Sequence, residues 1–511
     1  VILVWCPVWG TMNPMCSKDL SSKDVTTHSH GATGPTKAFR PLAIALPLVL
    51  LLTGCAAPAG FVGQHQSADP AGADGITVYF NQRPQGSYLS PLTGTRRRGD
   101  DLEQAVVDAI AGARSSISLA VQELTLPPIA QALVERHQAG VQVRVVLENS
   151  YSTPWSYQHP SELSDHERHR WQRLHDLADA DQDGTVTQAE RRSGDAVALL
   201  LADGVPLVDD TADGTAGSGL MHHKFLVVDG QEVVTGSANF TSSGIHGDAG
   251  APWSRGNTNH LVRIHSPALA GLFEEEFARL WGDGPHGLAD SRFGLSKSSG
   301  ASIGLQEGDA HLEVLFAPHS RQDHNNGLQF IERVLATAKE EVDMALFVFS
   351  DQGIADRLKT LAQDGVRVRL LVDPGFATRS YSELLDLAGV TRPDHRCRVE
   401  EGNKPWPEGL AEVGVPQLER GDKLHHKFAV VDGTTVITGS FNWSASAAHQ
   451  NDETILVIKH PKVASAFSDE FGRLWQNAEL GITPRLQQLL ERDRLRCPET
   501  LKLQQPPSAL L

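Results

Sequence analysis

Two stretches of the chain repeat one order of apolar and polar positions. In the first, an amphipathic helical period over Ala105–Ile110 precedes the apolar run Ile117–Val121. A second helical stretch then leads to the β-branched run Gly140–Leu147. The second copy reads Ile331–Leu335, Val342–Leu346 and Gly365–Val372 in the same order. Strands alternating with helices predict an α/β protein whose mixed sheets are flanked by helices. Each copy closes on a helix carrying two aromatics one turn apart, Phe277 and Trp281 or Phe471 and Trp475, which reads as a core-facing stripe. A Gly- and Ser-rich stretch over 282–309 separates the copies, so the body is a tandem duplication.

Composition fits this. The chain of 511 residues is 40% hydrophobic and 21% charged, enough for two or three cores. A net charge of −17 argues against a broad nucleic-acid-coating surface but allows a small basic cleft. The apolar run Leu42–Leu52, after Lys37 and Arg40, is too short for a stable span and fits a secretion leader. Its ending, Leu52-Thr53-Gly54-Cys55, resembles a bacterial lipobox, which implies a lipidated Cys55, a membrane attachment and a location in the bacterial cell envelope. A leader cleaved without lipidation, leaving a secreted or periplasmic protein, is the alternative. Past Cys55 only Cys397 and Cys497 remain; in an oxidising compartment they could pair, or stay as two lone thiols.

The chemistry sits at matched places in the copies. His222-His223-Lys224-Phe225 continues to Asp229, Gly236, Ser237 and Asn239. His425-His426-Lys427-Phe428 continues to Asp432, Gly439, Ser440 and Asn442, each 203 positions on. Period-2 alternation puts His222 with Lys224, and His425 with Lys427, on one strand face, and turns His223 and His426 to the other, toward the core. Cleaving a phosphodiester needs a nucleophile, a proton donor for the leaving alkoxide and cations for the non-bridging oxygens. Two histidines can divide the first two roles if their environments separate their pKa values. Lys224 and Lys427 supply charge, and Ser237, Asn239, Ser440 and Asn442 supply neutral donors. None of this calls for a catalytic metal.

At these residues the chain resembles the phospholipase D superfamily, whose signature His-x-Lys-x4-Asp-x6-Gly-Ser-x-Asn both copies match in full. The resemblance covers roughly Asp100 to Gln476. It implies a pseudo-twofold pair of phospholipase D-like domains sharing one site, and a covalent phosphohistidine resolved by water or another alcohol. By that analogy His222 is the nucleophile and His425 the acid, while Asp229 and Asp432 anchor a loop. Family members carry an acidic residue after the Gly-Ser-x-Asn; the second copy has Glu453, but strand alignment leaves Asn259 at the matching place in the first. An amide can fix a tautomer but cannot stabilise imidazolium by charge. Asp248, in a loop longer than its counterpart by nine residues, is a possible substitute.

The first copy is 22 residues longer between its first strand and its histidine. Within the excess, Asp179-Ala180-Asp181-Gln182-Asp183-Gly184-Thr185-Val186-Thr187-Gln188-Ala189-Glu190 matches an EF-hand calcium loop. Asp179, Asp181, Asp183, the Thr185 carbonyl, Thr187 through water and a bidentate Glu190 are the expected ligands. An acidic surface loop is the plainer alternative. A lone loop of this kind binds weakly, so a structural or regulatory calcium is expected.

The expected organisation is a leader over 1–55, a tether and lead-in over 56–96, a first domain over 97–283 with its insertion near 165–200, a linker over 284–310, a second domain over 311–480 and a tail over 481–511. A phosphodiesterase acting on phospholipid headgroups leads. An endonuclease of the same fold, acting on DNA or RNA, and a catalytically silent calcium-binding envelope scaffold are the alternatives. Nothing in the sequence requires an oligomer, and a monomer is compatible with it. Trp155, Trp253 and Trp443 could line the site or pack in the core.

Overall fold

In the computed structural model, residues 71–502 are described, apart from 74, 93, 215–218, 249 and 252. The leader, Cys55, the start of the tether and the end of the tail lie outside the described residues.

Strands β1 (Ala71–Ala73) and β2 (Ile76–Phe80) open the body, and a separate ribbon pairs β3 (Ser87–Leu89) with β4 (Arg96–Arg98). The first sheet adds β5 (Ser116–Val121), β6 (Gln142–Leu147), β7 (Leu207–Asp209), β8 (Lys224–Val228), β9 (Glu232–Gly236) and β10 (His260–His265). Its order is β1-β2-β10-β9-β8-β5-β6-β7. The second half supplies β11 (Ile303–Glu307), β12 (Ala310–Ala317), β13 (Glu341–Leu346), β14 (Arg367–Val372), β15 (Val413–Val415), β16 (Lys427–Val431), β17 (Thr435–Gly439), β18 (Glu453–Lys459) and β19 (Glu479–Leu480). They assemble as β11-β12-β18-β17-β16-β13-β14-β15-β19. From β2 to β7 and from β12 to β15 the two orders are the same. In each sheet three parallel strands continue into antiparallel ones, with the join at β5–β8 and β13–β16. The mixed α/β duplication expected from the pattern is the observed fold.

Local chemistry explains the elements that carry the site. Helix Leu102–Gly112 starts where the Asp101 carboxylate accepts from the Gln104 N–H. The helices Pro267–Trp281 and Pro461–Trp475 begin with proline, whose missing N–H costs nothing in the first turn. Between β8 and β9, Asp229 and Gly230 both take positive φ (52° and 59°), as Asp432 and Gly433 do between β16 and β17 (48° and 59°). That is the type I′ turn that an Asp-Gly pair favours.

The two halves share a core. Phe80, Phe225, Phe273 and Phe277 of the first half pack in one cluster with Leu312, Phe428, Phe467 and Phe471 of the second. Phe80 and Phe467 meet edge to face at 5.1 Å, as do Phe273 and Phe316. Each such buried ring contributes roughly 1.5–3 kcal/mol relative to exposure. Separate outer cores lie on the far side of each sheet.

Three boundaries differ from the expected organisation. β1 and β2 fall in the stretch assigned to tether and lead-in, yet β2 pairs with β10 along its length and alternates buried and half-buried residues. The linker contains β11 and the fully buried Lys297. The tail folds as helix Pro484–Arg496, and the Cys397–Cys497 disulfide ties its end to the loop after β14. Among the described residues no helix is long and apolar enough to cross a membrane.

Candidate active site

The two motif segments are held by each other's half. The His222 N–H donates to the Asp452 carbonyl (3.0 Å), and the Asp452 N–H donates to the Leu220 carbonyl (2.9 Å). Reciprocally, the His425 N–H donates to the Thr258 carbonyl (3.2 Å) and the Thr258 N–H to the Lys423 carbonyl (2.8 Å). These short parallel bridges fix both histidines relative to both sheets.

The side chains repeat the exchange. His222 Nδ1 lies 2.8 Å from Glu453 Oε1, and His425 Nδ1 is hydrogen-bonded to Asn259 Oδ1 at 2.9 Å. With its proton on Nδ1, each imidazole is left with a free Nε2 lone pair. The residues named from strand alignment are thus the orienting ones, each serving the histidine of the other half. Asp248 takes no such part; its Oδ1 accepts from the Gly250 N–H in its own loop.

The two serines differ from expectation. Ser237 Oγ donates to Asn259 Oδ1 (2.8 Å) and Ser440 Oγ to Glu453 Oε2 (2.5 Å), and both residues are fully buried. Their hydroxyls hold the orienting residues, not a phosphate. A Ser after a Gly at the sheet end lies against the neighbouring strand, and sequence spacing does not reveal which way its hydroxyl turns.

The lysines are buried at the same centre. Lys224 Nζ donates to the His222 carbonyl (2.9 Å) and Lys427 Nζ to the His425 carbonyl (2.8 Å). Burial pushes Lys224 down to about 7, with Glu453 and Glu123 opposing. Burial and the field of Lys224 push Lys427 well below its ordinary value. His222 falls to about 4 because burial and Lys224 outweigh the Glu453 carboxylate. His425 falls well below its ordinary value through burial and the fields of Lys427, Lys224 and His222. Burial alone would raise Glu453, but His222, Lys224 and Ser440 hold its carboxyl down. Burial thus weakens the charge of all four groups, and an anion bound among them would favour their protonated forms.

Among the described residues, Asn239 and Asn442 each keep a buried side-chain oxygen without a partner, while the Asn239 amide donates to Gln122 Oε1 (3.1 Å). Gln122 also accepts from Lys224 Nζ at 3.4 Å. Its counterpart past β13 is Phe347, whose ring lies 4.8 Å from that of His425. Sequence reasoning missed both; the only signal was their place one residue beyond matched strands.

The remaining motif residues lie outside this centre. Asp229 accepts from the N–H groups of Arg114, Ser115 and Ser116, and Asp432 from those of Lys339, Glu340 and Glu341, so each ties its turn to the start of a strand. His223 and His426 are fully buried on the other face, against Glu276 (3.1 Å) and Glu470 (2.9 Å). Trp443 and Trp155 are buried, whereas Trp253 is half exposed and donates to the Arg420 carbonyl.

In the insertion the carboxylates of Asp179, Asp181 and Asp183 lie within 4.8 Å of one another. Glu190 instead accepts from Ala180 N–H (2.9 Å) and Thr187 N–H (2.8 Å), and Thr187 caps the following helix. Val186 packs with Trp155, Leu174 and Ala178 in a small core of its own. Arg170 of helix Asp165–Ala178 pairs with Glu123 at 2.7 Å, beside Gln122.

Residues 106–281 and again 331–475 match the family described as cardiolipin synthase, PLD-like domain. The chain belongs to the phospholipase D superfamily. Both matches take in a whole motif, and together they cover most of the two sheets. Among similar superfamily proteins, the mitochondrial cardiolipin hydrolase of Xenopus tropicalis is 33% identical over 143 residues, 28% of this chain and 58% of that one. A phospholipase D of Rickettsia bellii is 30% identical over 139 residues, 27% of this chain and 59% of the relative. The matches thus span under two thirds of these relatives. Phosphatidylserine synthase from Haemophilus influenzae aligns over 85% of this chain and 96% of its own, with 13% identity and a TM-score of 0.49.

Proposed function

We propose that the protein is a phosphodiesterase that hydrolyses phospholipid headgroup bonds through a phosphohistidine on His222. The observation that carries the assignment of roles is the unequal pair of orienting residues: a carboxylate behind His222, an amide behind His425. A phosphorylated imidazole that keeps its Nδ1 proton carries positive charge for the life of the intermediate, and Glu453 stabilises it there. His425, lacking such a partner, is the weaker base and gives up a proton more readily. A bound phosphodiester anion restores the protonated His425 through its charge.

In the first step His222 Nε2 attacks phosphorus, the bond to the leaving oxygen breaks, and that oxygen takes the Nε2 proton of His425. In the second, water attacks phosphorus, His425 accepts its proton, and the P–N bond breaks. Lys224 and Lys427, with the amides of Asn239 and Asn442, hold the non-bridging oxygens.

The similarity to proteins named cardiolipin hydrolase and phospholipase D favours a lipid substrate. The lipobox-like leader favours an exported protein held at the envelope through Cys55. Calcium at Asp179, Asp181 and Asp183 is supported by the twelve-residue pattern and by the closeness of those carboxylates. The test incubates the purified protein with phospholipid vesicles and with single-stranded DNA, beside His222→Ala and His425→Ala. Lipid hydrolysis lost in both variants is expected. DNA cleavage lost in both would make the protein a nuclease, and activity surviving in both would refute the assignment.

A further inference from the structure

The duplication supplies an internal control for a second cluster, away from the motif histidines. His246 lies seven residues past Asn239, and 203 positions on, His449 lies seven past Asn442. Each closes a short helix, Ser242–Ile245 or Ala445–His449. Their partners differ. His449 Nδ1 donates to the His319 carbonyl (2.9 Å), whereas His246 Nε2 meets Glu103 Oε2 at 2.8 Å. The helix that supplies Glu103 opens Asp101-Leu102-Glu103; its counterpart before β13 opens Asn326-Gly327-Leu328. The second half thus reaches the same fold with a neutral cap and an apolar residue where the first half has two carboxylates. Folding alone does not call for them.

Asp101, Glu103 and His246 each bring one ligand atom within 4.8 Å of the others. His246 is fully buried and Glu103 is 4% exposed. The helix accounts for Asp101, whose Oδ1 caps it by accepting from the Gln104 N–H (3.0 Å). It does not account for Glu103. Glu103 Oε1 is buried with no hydrogen-bond partner, and Glu103 forms no ion pair with a lysine or arginine among the described residues. A buried carboxylate oxygen left bare is costly unless a cation or water completes it. On the other edge of the ring, His246 Nδ1 and the buried Tyr88 hydroxyl lie 2.8 Å apart. A metal on Nε2 puts the ring proton on Nδ1, where the hydroxyl accepts it. Such an outer contact orients ligating imidazoles.

We propose that Asp101, Glu103 and His246 bind one divalent transition-metal ion, zinc by the chemistry of the set. One imidazole nitrogen with two carboxylate oxygens suits zinc, whereas calcium and magnesium take oxygen ligands. Ligand atoms about 2.0–2.2 Å from zinc stand roughly 3–4 Å apart, so the His246–Glu103 contact opens only slightly to admit the ion. Water completes its shell. The ion clips helix Leu102–Gly112 to the segment that follows the first motif, with Glu103 and His246 separated by 143 positions. That segment supports the histidine centre: the Gly244 carbonyl accepts from Asn259 Nδ2 (2.8 Å), which leaves Asn259 Oδ1 to His425.

The test strips the full chain with a chelator, adds zinc, removes the excess by gel filtration, and measures zinc per chain, affinity and melting temperature. One zinc per chain and a raised melting temperature are expected. Asp101→Asn, which keeps a competent cap, and Glu103→Gln should each weaken zinc at least about tenfold, and Tyr88→Phe about 10–100-fold. The zinc-free melting temperature of Asp101→Asn should stay in place. The chain has 22 histidines, so the double variant His222→Ala with His425→Ala serves as control and should keep its zinc. Uptake unchanged in Asp101→Asn and Glu103→Gln, zinc lost only in the histidine double variant, or a wild type that takes up none overturns the proposal. None of these results bears on the hydrolase reading, which substrate turnover tests separately.

Discussion

Glu453 of the second half lies 2.8 Å from Nδ1 of His222 in the first, and Asn259 of the first half returns the contact to His425 at 2.9 Å. Neither half therefore holds a complete histidine site. The duplicated halves exchange their orienting residues, and the exchange is unequal in charge.

That inequality can be tested directly. Glu453→Gln should lower kcat about 10²-fold, within the range of a lost acid–base or electrostatic group. It should also reduce the phosphohistidine trapped by an alkaline denaturing quench, in which the acid-labile P–N bond survives. Asn259→Asp should raise the pKa of His425 by placing a carboxylate behind its imidazolium, displacing the pH profile of kcat upward. Equal effects of the two substitutions on trapping would contradict the division of roles.

The pH dependence follows from the buried lysine. Lys224 binds phosphate only when charged, and burial brings its pKa to about 7 in the free protein. Its charge is lost as pH rises through that value, while His222, at about 4, is a neutral nucleophile from there upward. His425 and Lys427 are also held well below their ordinary values, so kcat/KM should rise as His222 is freed above about 4 and should have begun to fall by about 7 at the latest. Lys224→Arg should move the alkaline limb up whatever its height, because a guanidinium stays charged. An unchanged limb in that variant would place its origin elsewhere.

Lys297 ties the halves together from within the linker. It is fully buried, pairs with Glu276 of the first half, and lies 2.7 Å from Asp452 of the second. Lys297→Met would leave Asp452 buried without its cation and Glu276 with Arg279 alone, a loss of about 3–5 kcal/mol. Urea unfolding should show the midpoint falling at unchanged slope. A change below 1 kcal/mol, on the order of an exposed pair, would mean the network is replaceable by water.

Calcium has a stability readout. Titration into the range of about 10⁻⁴–10⁻³ M should raise the melting temperature, since a ligand bound only to the folded state stabilises it. Asp181→Asn with Asp183→Asn, both exposed, should abolish the shift and leave the calcium-free melting temperature nearly unchanged. A shift that persists in the double variant would locate the ion elsewhere.

The two sheets, the duplication and the two His-x-Lys pairs were legible in the chain alone. Hydrophobic period and turn chemistry are local properties, and a motif repeated at one offset needs no structure to be seen. Alignment of β10 with β18 even named Asn259 and Glu453 as counterparts. Which histidine each would serve was decided only when the two sheets docked, because the contact crosses the pseudo-twofold and no spacing along the chain encodes it. The same holds for Ser237 and Ser440, whose hydroxyls turn into the protein, and for Gln122 and Phe347, which gain meaning from what faces them. Lys297 looked like part of a Gly- and Ser-rich connector because the carboxylates that make its burial favourable lie far along the chain, Glu276 on a helix and Asp452 just before β18. Local pattern set which groups were present; the packing of one half against the other set their partners, and hence their charge.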